Sequence, residues 1–175
     1  MMRLKLTVTF IFIIFAGLVI AAKSNAPFYE FKGVKAKLPQ NWEAKLGSMG
    51  QAITFIGPSR EGRSPVWQVT PTAHKLKEFD HIHKKRWDDH LLQAKRVWLV
   101  DFDGELKKVN HYPIKKDLYS VSFDYDIFGR SFREYQYYKI CKGKVLRITA
   151  LSSFKYHKLD EKTYDQIHGG LSCNP

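Results

Sequence analysis

The chain has 175 residues, and 29 Lys and Arg against 17 Asp and Glu give it a formal net charge of +12. A hydrophobic fraction of 44% and an aromatic fraction of 14% exclude a disordered polypeptide and indicate a packed core. Two cysteines are too few for a disulfide-dense miniprotein or a four-thiolate zinc site. Length and composition therefore fit one globular domain behind a short leader.

Residues 1–26 have the order of a secretory signal peptide. Arg3 and Lys5 form a positive n-region, residues 6–20 are uncharged and mostly apolar, and small residues precede Pro27. We predict that this leader is cleaved, which leaves a single domain at residues 27–175 in the periplasm or outside the cell. The alternative is an uncleaved N-terminal membrane anchor, because the apolar stretch approaches the ~17–25 residues that can span a bilayer.

Export bears on the two cysteines, Cys141 and Cys173. In an oxidising compartment, two thiols in one small domain usually pair. We therefore predict a disulfide that joins the last strand region to the C-terminal segment. The alternative is two separately buried thiols, and no catalytic signature surrounds either residue.

The N-terminal half of the domain reads mainly as short strands. Apolar alternation over residues 29–38 around Lys32-Gly33 predicts a strand pair or a bulged strand, and residues 51–56 predict another strand. Residues 57–65 are rich in Gly, Pro and charge and predict an exposed loop. Residues 66–70 return as a short strand.

A long helix is predicted over residues 75–96. Six apolar residues recur there at spacings near three and four and form one stripe: Leu76, Phe79, Ile82, Trp87, Leu91 and Ala94. Thr72 is the predicted N-cap, because its hydroxyl can accept an unpaired amide hydrogen.

The next segment predicts a meander of strands. Asp103-Gly104 lies between residues 97–102 and 105–110, and an Asp-Gly pair in this setting is typical of a hairpin turn. Residues 118–125 alternate between an aromatic and aliphatic face and a serine-bearing face. We expect the serine-bearing face to be partly exposed to water.

The C-terminal third predicts a hairpin and then a helix. Residues 132–140 and 144–151 lie on either side of Lys142-Gly143, which favours a tight turn. Residues 158–168 have one apolar side, and Gly169-Gly170 end the predicted helix. The element order predicts an α+β fold, with an antiparallel β-sheet on which a long middle helix and a C-terminal helix pack.

Short motifs near the start of the domain resemble a known family. Leu38-Pro39, then Asn41-Trp42, then the run Phe55-Ile56-Gly57-Pro58 are similar to the opening of PsbP-like domains. The resemblance implies an antiparallel sheet with helices, one of them C-terminal. It further implies an exported or organellar accessory or assembly protein, mostly non-catalytic, and it carries over no active-site residues.

Two groups of residues resemble metal sites. His81, His83 and His90 lie on the long helix, but their spacing directs them to different sides or separates them along the axis. They indicate a solvated helix face. Asp101 and Asp103 resemble the start of a calcium loop, but the required acid and Glu do not follow, so a turn explains them better.

No nucleophile elbow, zincin motif, phosphate loop or dinucleotide fingerprint occurs in the sequence. We therefore predict no catalytic residues, no metal and no cofactor. The function predicted is that of an exported, non-catalytic accessory or binding protein with a basic surface. The alternative is a small secreted hydrolase without a recognisable motif.

Eight residues form the candidate surface for an anionic partner: Lys107, Lys108, Lys115, Lys116, Arg133, Tyr135, Tyr137 and Lys139. The last four alternate along one strand and share a sheet face. The alternative places the tyrosine pair beneath the C-terminal helix, with the two cations at its rims. The pattern favours this alternative, because Cys141 belongs to the same face and would bond to the terminal segment.

The expected partner is acidic: an envelope polymer, a membrane surface or another protein. We expect no sequence-specific binding to nucleic acid. The sequence leaves the oligomeric state open.

Overall fold

The structure, a computed structural model, describes residues 27–31, 33–47 and 53–173. The predicted leader and its cleavage site lie outside these residues, as do the first two positions of the strand predicted at 51–56. The described chain forms ten strands and two α-helices. Their bounds are β1 Phe28–Phe31, β2 Val34–Lys37, β3 Glu43–Leu46, β4 Ile53–Ile56, β5 Val66–Lys75, α1 His81–Asp101, β6 Glu105–His111, β7 Leu118–Ile127, β8 Arg130–Cys141, β9 Lys144–Ser153, α2 His157–Gly169 and β10 Ser172–Cys173.

The strands form two antiparallel sheets. The larger has seven strands in the order β3-β4-β5-β9-β8-β7-β6, and the smaller has the order β1-β2-β10. The hairpin predicted at Lys142-Gly143 is confirmed, since both residues adopt positive φ values of 50° and 76° and join β8 to β9. The α+β fold with a long middle helix and a C-terminal helix is likewise confirmed.

The two helices cover opposite faces of the large sheet. On one face, Leu99 of α1 and Phe79, which precedes the helix, pack against β7 residues such as Phe123. On the other face, α2 and the small sheet pack against β5, β8 and β9, with Tyr164 among the fully buried side chains. The sheet therefore separates two apolar cores, and this three-layer arrangement buries both of its faces.

The start of α1 differs from the sequence prediction. β5 continues through Lys75, and α1 begins only at His81, after Asp80. The Asp80 carboxylate accepts a hydrogen bond from the backbone N–H of His83 at 2.7 Å, so Asp80 is the N-cap. Thr72 lies in β5 and donates its hydroxyl to the carbonyl of Val145 at 2.8 Å. The prediction of Thr72 as cap was wrong because pairing with β9 holds this segment in the sheet.

The prediction of a hairpin at Asp103-Gly104 was also wrong. The residues before it belong to α1, and the N–H of Gly104 donates to the carbonyl of Leu99 at 2.7 Å, closing the helix. A Cβ on Gly104 would lie 2.8 Å from Leu99 Cδ2 and 2.9 Å from the carbonyl oxygen of Asp126. An Asp-Gly pair suits a helix C-terminus as well as a hairpin, because both need backbone that tolerates positive φ.

The serine-bearing face of β7 is not exposed to solvent. Ser120, Ser122 and Asp124 are all buried. Asn110 donates its amide to the Ser122 hydroxyl at 3.1 Å, and Arg133 covers Asp124 as an ion pair. Polar side chains from neighbouring strands therefore cover this face, and the expectation of partial exposure was wrong.

Candidate binding cleft between α1 and the sheet

A cleft of about 620 Å³ lies between α1 and the large sheet. Its helix wall carries Trp87, Leu91 and Trp98, which share one side of α1 because their spacings are four and seven residues. Its sheet wall carries Gln136 and Tyr138, which β8 directs to the same face because they alternate along the strand. One side of α1 therefore faces one side of β8 across the cleft.

The floor of the cleft is a buried ion pair. The Lys95 ammonium lies 2.6 Å from the Glu134 carboxylate, and 7% of the Lys95 side chain is exposed. The same ammonium lies 3.7 Å from the ring centroid of Tyr125 and 4.1 Å from that of Trp98. Burial lowers the pKa of Lys95, and the negative charge of Glu134 opposes that shift. The floor is therefore polar, rigid and without net charge.

A chain of hydrogen bonds runs from this pair along the sheet wall of the cleft. The Tyr138 hydroxyl donates to the side-chain carbonyl of Gln136 at 2.9 Å, and the amide of Gln136 donates to Glu134 at 2.5 Å. The Tyr125 hydroxyl donates to Glu134 at 3.3 Å. Burial raises the pKa of Tyr138 well above its usual range, so it remains a neutral donor. Such a satisfied network holds its members in one arrangement.

Basic side chains surround the opening. Arg86 and His90 project from α1, while His74 and Arg147 project from β5 and β9, and all four are exposed. In the described part of the chain, Glu134 is the one carboxylate that lines the cleft, and Lys95 already neutralises it. The field at the opening is therefore positive and favours a negatively charged ligand.

The candidate surface predicted from the sequence is divided by the fold. Lys107 lies 2.5 Å from Glu105 and 3.5 Å from Asp126 in ion pairs. In the strand pairing, Lys108 lies opposite Asp124 near the end of β7. Lys115 lies opposite Leu118 at the start of β7, and Lys116 follows it in the chain. Six residues of β7 separate these positions, which is about 20 Å at ~3.3 Å per residue. The four lysines therefore do not form one patch.

The remaining four residues of that candidate surface are mostly occupied. Two nitrogens of Arg133 bond both oxygens of Asp124 at 2.5 Å and 2.6 Å. Tyr135 is 2% exposed and lies beneath α2, and the Tyr137 ring packs edge-on against His168 at 4.7 Å between centroids. The placement of this tyrosine pair under the C-terminal helix is confirmed, and an exposed Tyr135 is ruled out. In the strand pairing, Lys139 lies opposite Leu118 at the start of β7.

His168 is half-buried against the ring of Tyr137. Burial, aided by the nearby cations Lys139 and Lys115 and opposed by Asp117, lowers the pKa of His168 to about 4. The imidazole is therefore neutral at physiological pH.

The two cysteines lie at disulfide distance, with 5.8 Å between their Cα atoms. The pair connects the end of β8 to β10, which is the connection expected from the sequence. Because β10 pairs with β2, the link also joins the two sheets.

Other residues singled out in the sequence do not assemble into a site. Among the described residues, no three His, Cys, Asp or Glu side chains come close enough to hold a metal ion. His81 and His90 are exposed, Asp101 is the last residue of α1, and Asp103 follows the C-cap. Within the same residues, no helix is both long enough and apolar enough to cross a bilayer.

The sequence prediction missed the cleft, although one signal pointed to it. Lys95 lies four residues after Leu91 and four before Leu99, so it occupies the apolar stripe of α1. A lysine in such a stripe requires a buried acidic partner. The partner, Glu134, lies in β8, where helical periodicity gives no information about it.

Comparisons with known proteins place the fold. No family model matches the sequence, and no curated protein matches it. LpqN, described as involved in cell envelope biogenesis of Mycobacterium tuberculosis, superposes with a TM-score of 0.53 and 12% identity, over 81% of this chain and 83% of that one. Cyanobacterial PsbP (CyanoP) from Synechocystis sp. PCC 6803 superposes with a TM-score of 0.50 and 11% identity, over 84% of this chain and 91% of that one. The chain has a PsbP-like fold.

The motif that suggested this PsbP-like fold has a packing role. The N–H of Gly57 donates to the carbonyl of Pro65 at 2.8 Å and closes the loop between β4 and β5. A Cβ on Gly57 would lie 2.7 Å from both Pro65 Cγ and Trp42 Cε2. Only glycine lets the loop pass this close to the indole, which itself packs edge-on against Tyr164 of α2.

Proposed function

We propose that this protein is an exported, non-catalytic accessory protein that binds an anionic polymer of the cell envelope in the cleft between α1 and the sheet. The observation that carries the proposal is the combination of an exposed basic rim with a floor whose only carboxylate is already paired. A negatively charged ligand gains attraction at Arg86 and Arg147 without meeting an unpaired carboxylate.

The rim and walls suit a chain-like ligand with anionic groups. Guanidinium groups bind sulfate, phosphate or carboxylate oxygens through paired N–H donors. Trp98, which is 38% exposed, and the half-buried Trp87 offer apolar surface for the uncharged parts of the ligand. The cleft is concave, whereas a bilayer contacts a flat or convex face, so a polymer fits it better than a membrane does.

Export is supported by three observations. Residues 1–26 have the composition of a signal peptide. The two cysteines lie at disulfide distance, and disulfides persist mainly outside the reducing cytosol. LpqN, which shares the fold, is described as involved in cell envelope biogenesis.

The test compares two variants with the same change in charge. Arg86→Glu/Arg147→Glu reverses the rim of the cleft, while Lys108→Glu/Lys116→Glu reverses two exposed lysines elsewhere. Immobilised heparin serves as the anionic polysaccharide, and the salt concentration needed for elution is measured. We expect both variants to elute earlier than the parent, and the cleft variant to elute clearly earlier than the control, because exposed charges are screened within about 8–10 Å.

Equal elution of the two variants would show that total charge alone causes retention, and the proposal would fail. Circular dichroism and thermal unfolding of both variants establish that the fold is intact. All four positions are exposed, so we expect little change in stability from either reversal.

A further inference from the structure

A second concave surface lies at the C-terminal end of α1, and we call it the aromatic groove. It has a volume of about 590 Å³ and lies among α1, the β7–β8 turn and the loop before β5. Its lining is mainly aromatic, with two arginines at one edge: Trp98, Phe102, Phe128, Phe132, Arg63 and Arg130.

The aromatic side chains form a continuous exposed row. Trp98 and Phe102 have ring centroids 4.9 Å apart, and Phe102 and Phe128 are 6.3 Å apart in an edge-on arrangement. Phe102 is 40% exposed and Phe128 is 73% exposed. Contiguous exposed apolar surface of this kind marks interaction sites in soluble domains.

Phe128 occupies a position where a large side chain is costly. It is the first residue of the turn between β7 and β8 and has a φ of 49°. Turns of this type favour Asn or Gly there, since a bulky residue with positive φ is strained. The Phe128 ring is mostly exposed, so burial in the core does not offset this strain. Its place at the tip of the turn is therefore better explained by contact with a partner.

Arg63 and Arg130 place positive charge beside the row. Neither forms an ion pair with a carboxylate of the described residues. The Arg63 guanidinium lies over the Phe132 ring at 4.7 Å from its centroid. Burial and the neighbouring charge of Arg130 lower the pKa of Arg63, and the charge of Glu61, which forms an ion pair with Lys155, opposes that shift.

We propose that the aromatic groove docks an acidic peptide segment of a partner protein. An apolar side chain of that segment lies against Phe102 and Phe128, and an adjacent carboxylate bonds Arg63 and Arg130. Paired guanidinium groups beside an aromatic surface match this combination, because Arg and aromatic residues dominate the energetics of protein interfaces.

The charges around the groove favour a peptide over an anionic membrane. Asp101 and Asp103 are exposed on either side of Phe102. A bilayer is a broad surface, so its anionic headgroups would also approach these carboxylates and be repelled. A peptide carboxylate reaches the two arginines that line the groove, whereas neither aspartate is among the lining residues.

The test uses a pair of synthetic peptides and amide chemical shifts. The acidic probe is acetylated, amidated Gly-Ser-Phe-Glu-Asp-Gly, and its neutral counterpart has Gln and Asn in place of Glu and Asp. We expect saturable shifts at residues 63–64, 102 and 128–130 with the acidic probe, and weaker binding of the neutral one. Shifts elsewhere, or none at millimolar peptide, would overturn the proposal.

Phe128→Asn is the decisive variant, because Asn suits the turn and should preserve or raise stability. We expect it to weaken peptide binding by about tenfold. Phe28→Asn, which alters another exposed phenylalanine (56% exposed), should leave binding unchanged. Unchanged binding by Phe128→Asn would overturn the proposal.

A separate pair of variants tests the charge contact. Arg63→Gln/Arg130→Gln should abolish the preference for the acidic probe, whereas Arg86→Gln/Arg147→Gln in the cleft should retain it. Phe128→Asn should leave retention on heparin unchanged, so a failure of the cleft proposal is distinguishable from a failure here. The protein could instead float with phosphatidylglycerol vesicles in a way that requires Phe128, while binding neither peptide. That result would identify the partner of the groove as a membrane and would refute the inference.

Discussion

The Lys95 ammonium and the Glu134 carboxylate lie 2.6 Å apart, with 7% and 11% of their side chains exposed. They come from α1 and β8 and join the helix to the sheet at the base of the cleft. Removing both charges from water is expensive, and the pair is tolerated because Gln136 and Tyr125 also bond Glu134. Neither charge can be removed alone without leaving the other one unpaired.

Replacement of one partner should therefore be more damaging than replacement of both. We expect Lys95→Met to lower the free energy of unfolding by about 3–5 kcal/mol, because Glu134 would remain buried without a cation. Adding Glu134→Gln should recover a large part of this loss, since Gln keeps a hydrogen-bonding side chain there. Urea denaturation of the parent, the single variant and the double variant measures the difference. A double variant as unstable as the single one would contradict the role of the unpaired charge.

The link between Cys141 and Cys173 closes a loop of 32 positions. We expect Cys141→Ser/Cys173→Ser to lower the free energy of unfolding by about 3–4 kcal/mol, because the unfolded chain regains the entropy of that loop. Alkylation of urea-unfolded protein without reductant should label neither cysteine of the parent. Two labelled thiols in that sample would show that the cysteines are reduced.

His168 should make stability depend on pH between about 4 and 6.5. Its pKa is about 4 in the folded protein against an ordinary value of 6.5, so in this window the unfolded chain binds the proton more readily. The free energy of unfolding therefore rises with pH through this range, with a contribution from His168 of up to about 3 kcal/mol. Above the ordinary value, both states are neutral and the contribution is constant.

His168→Phe keeps a ring against Tyr137 and removes the titrating group. We expect chemical denaturation at a series of pH values to show a smaller fall in stability on acidification for this variant than for the parent. Parallel pH profiles for the two proteins would show that His168 does not couple protonation to folding.

Because Gly57 lies against Trp42 and Pro65, we expect any side chain at position 57 to lower the stability of the fold. Gly57→Ala would place a methyl group 2.7 Å from two of their carbon atoms, and overpacking of this kind costs about 1–3 kcal/mol. Gly169→Ala is the matched control, because no atom lies within 4 Å of the added carbon. Thermal unfolding should show a lower midpoint for the first variant and little change for the second. Equal midpoints would mean that the loop moves aside without cost.

Elements with strong local signals were predicted well from the sequence. The turn at Lys142-Gly143, the alternation along β7 and the C-terminal helix each depend on residues close together in the chain. The start of α1 was mispredicted because pairing between β5 and β9 extends the strand over residues that could equally begin a helix. The short strands β3 and β10 were missed because four and two residues carry little periodicity.

The sequence by itself determined the basic character of the chain, the alternation of its strands, the helical stripe and the even number of cysteines. Only the tertiary structure decided which charges act together. It brings Arg86 near Arg147 and Arg63 near Arg130, although each pair is far apart in the chain. It also separates Lys108 from Lys116, which are close in sequence. Electrostatic and apolar interactions depend on distance and burial in space, and sequence spacing reports these only within a single helix or strand.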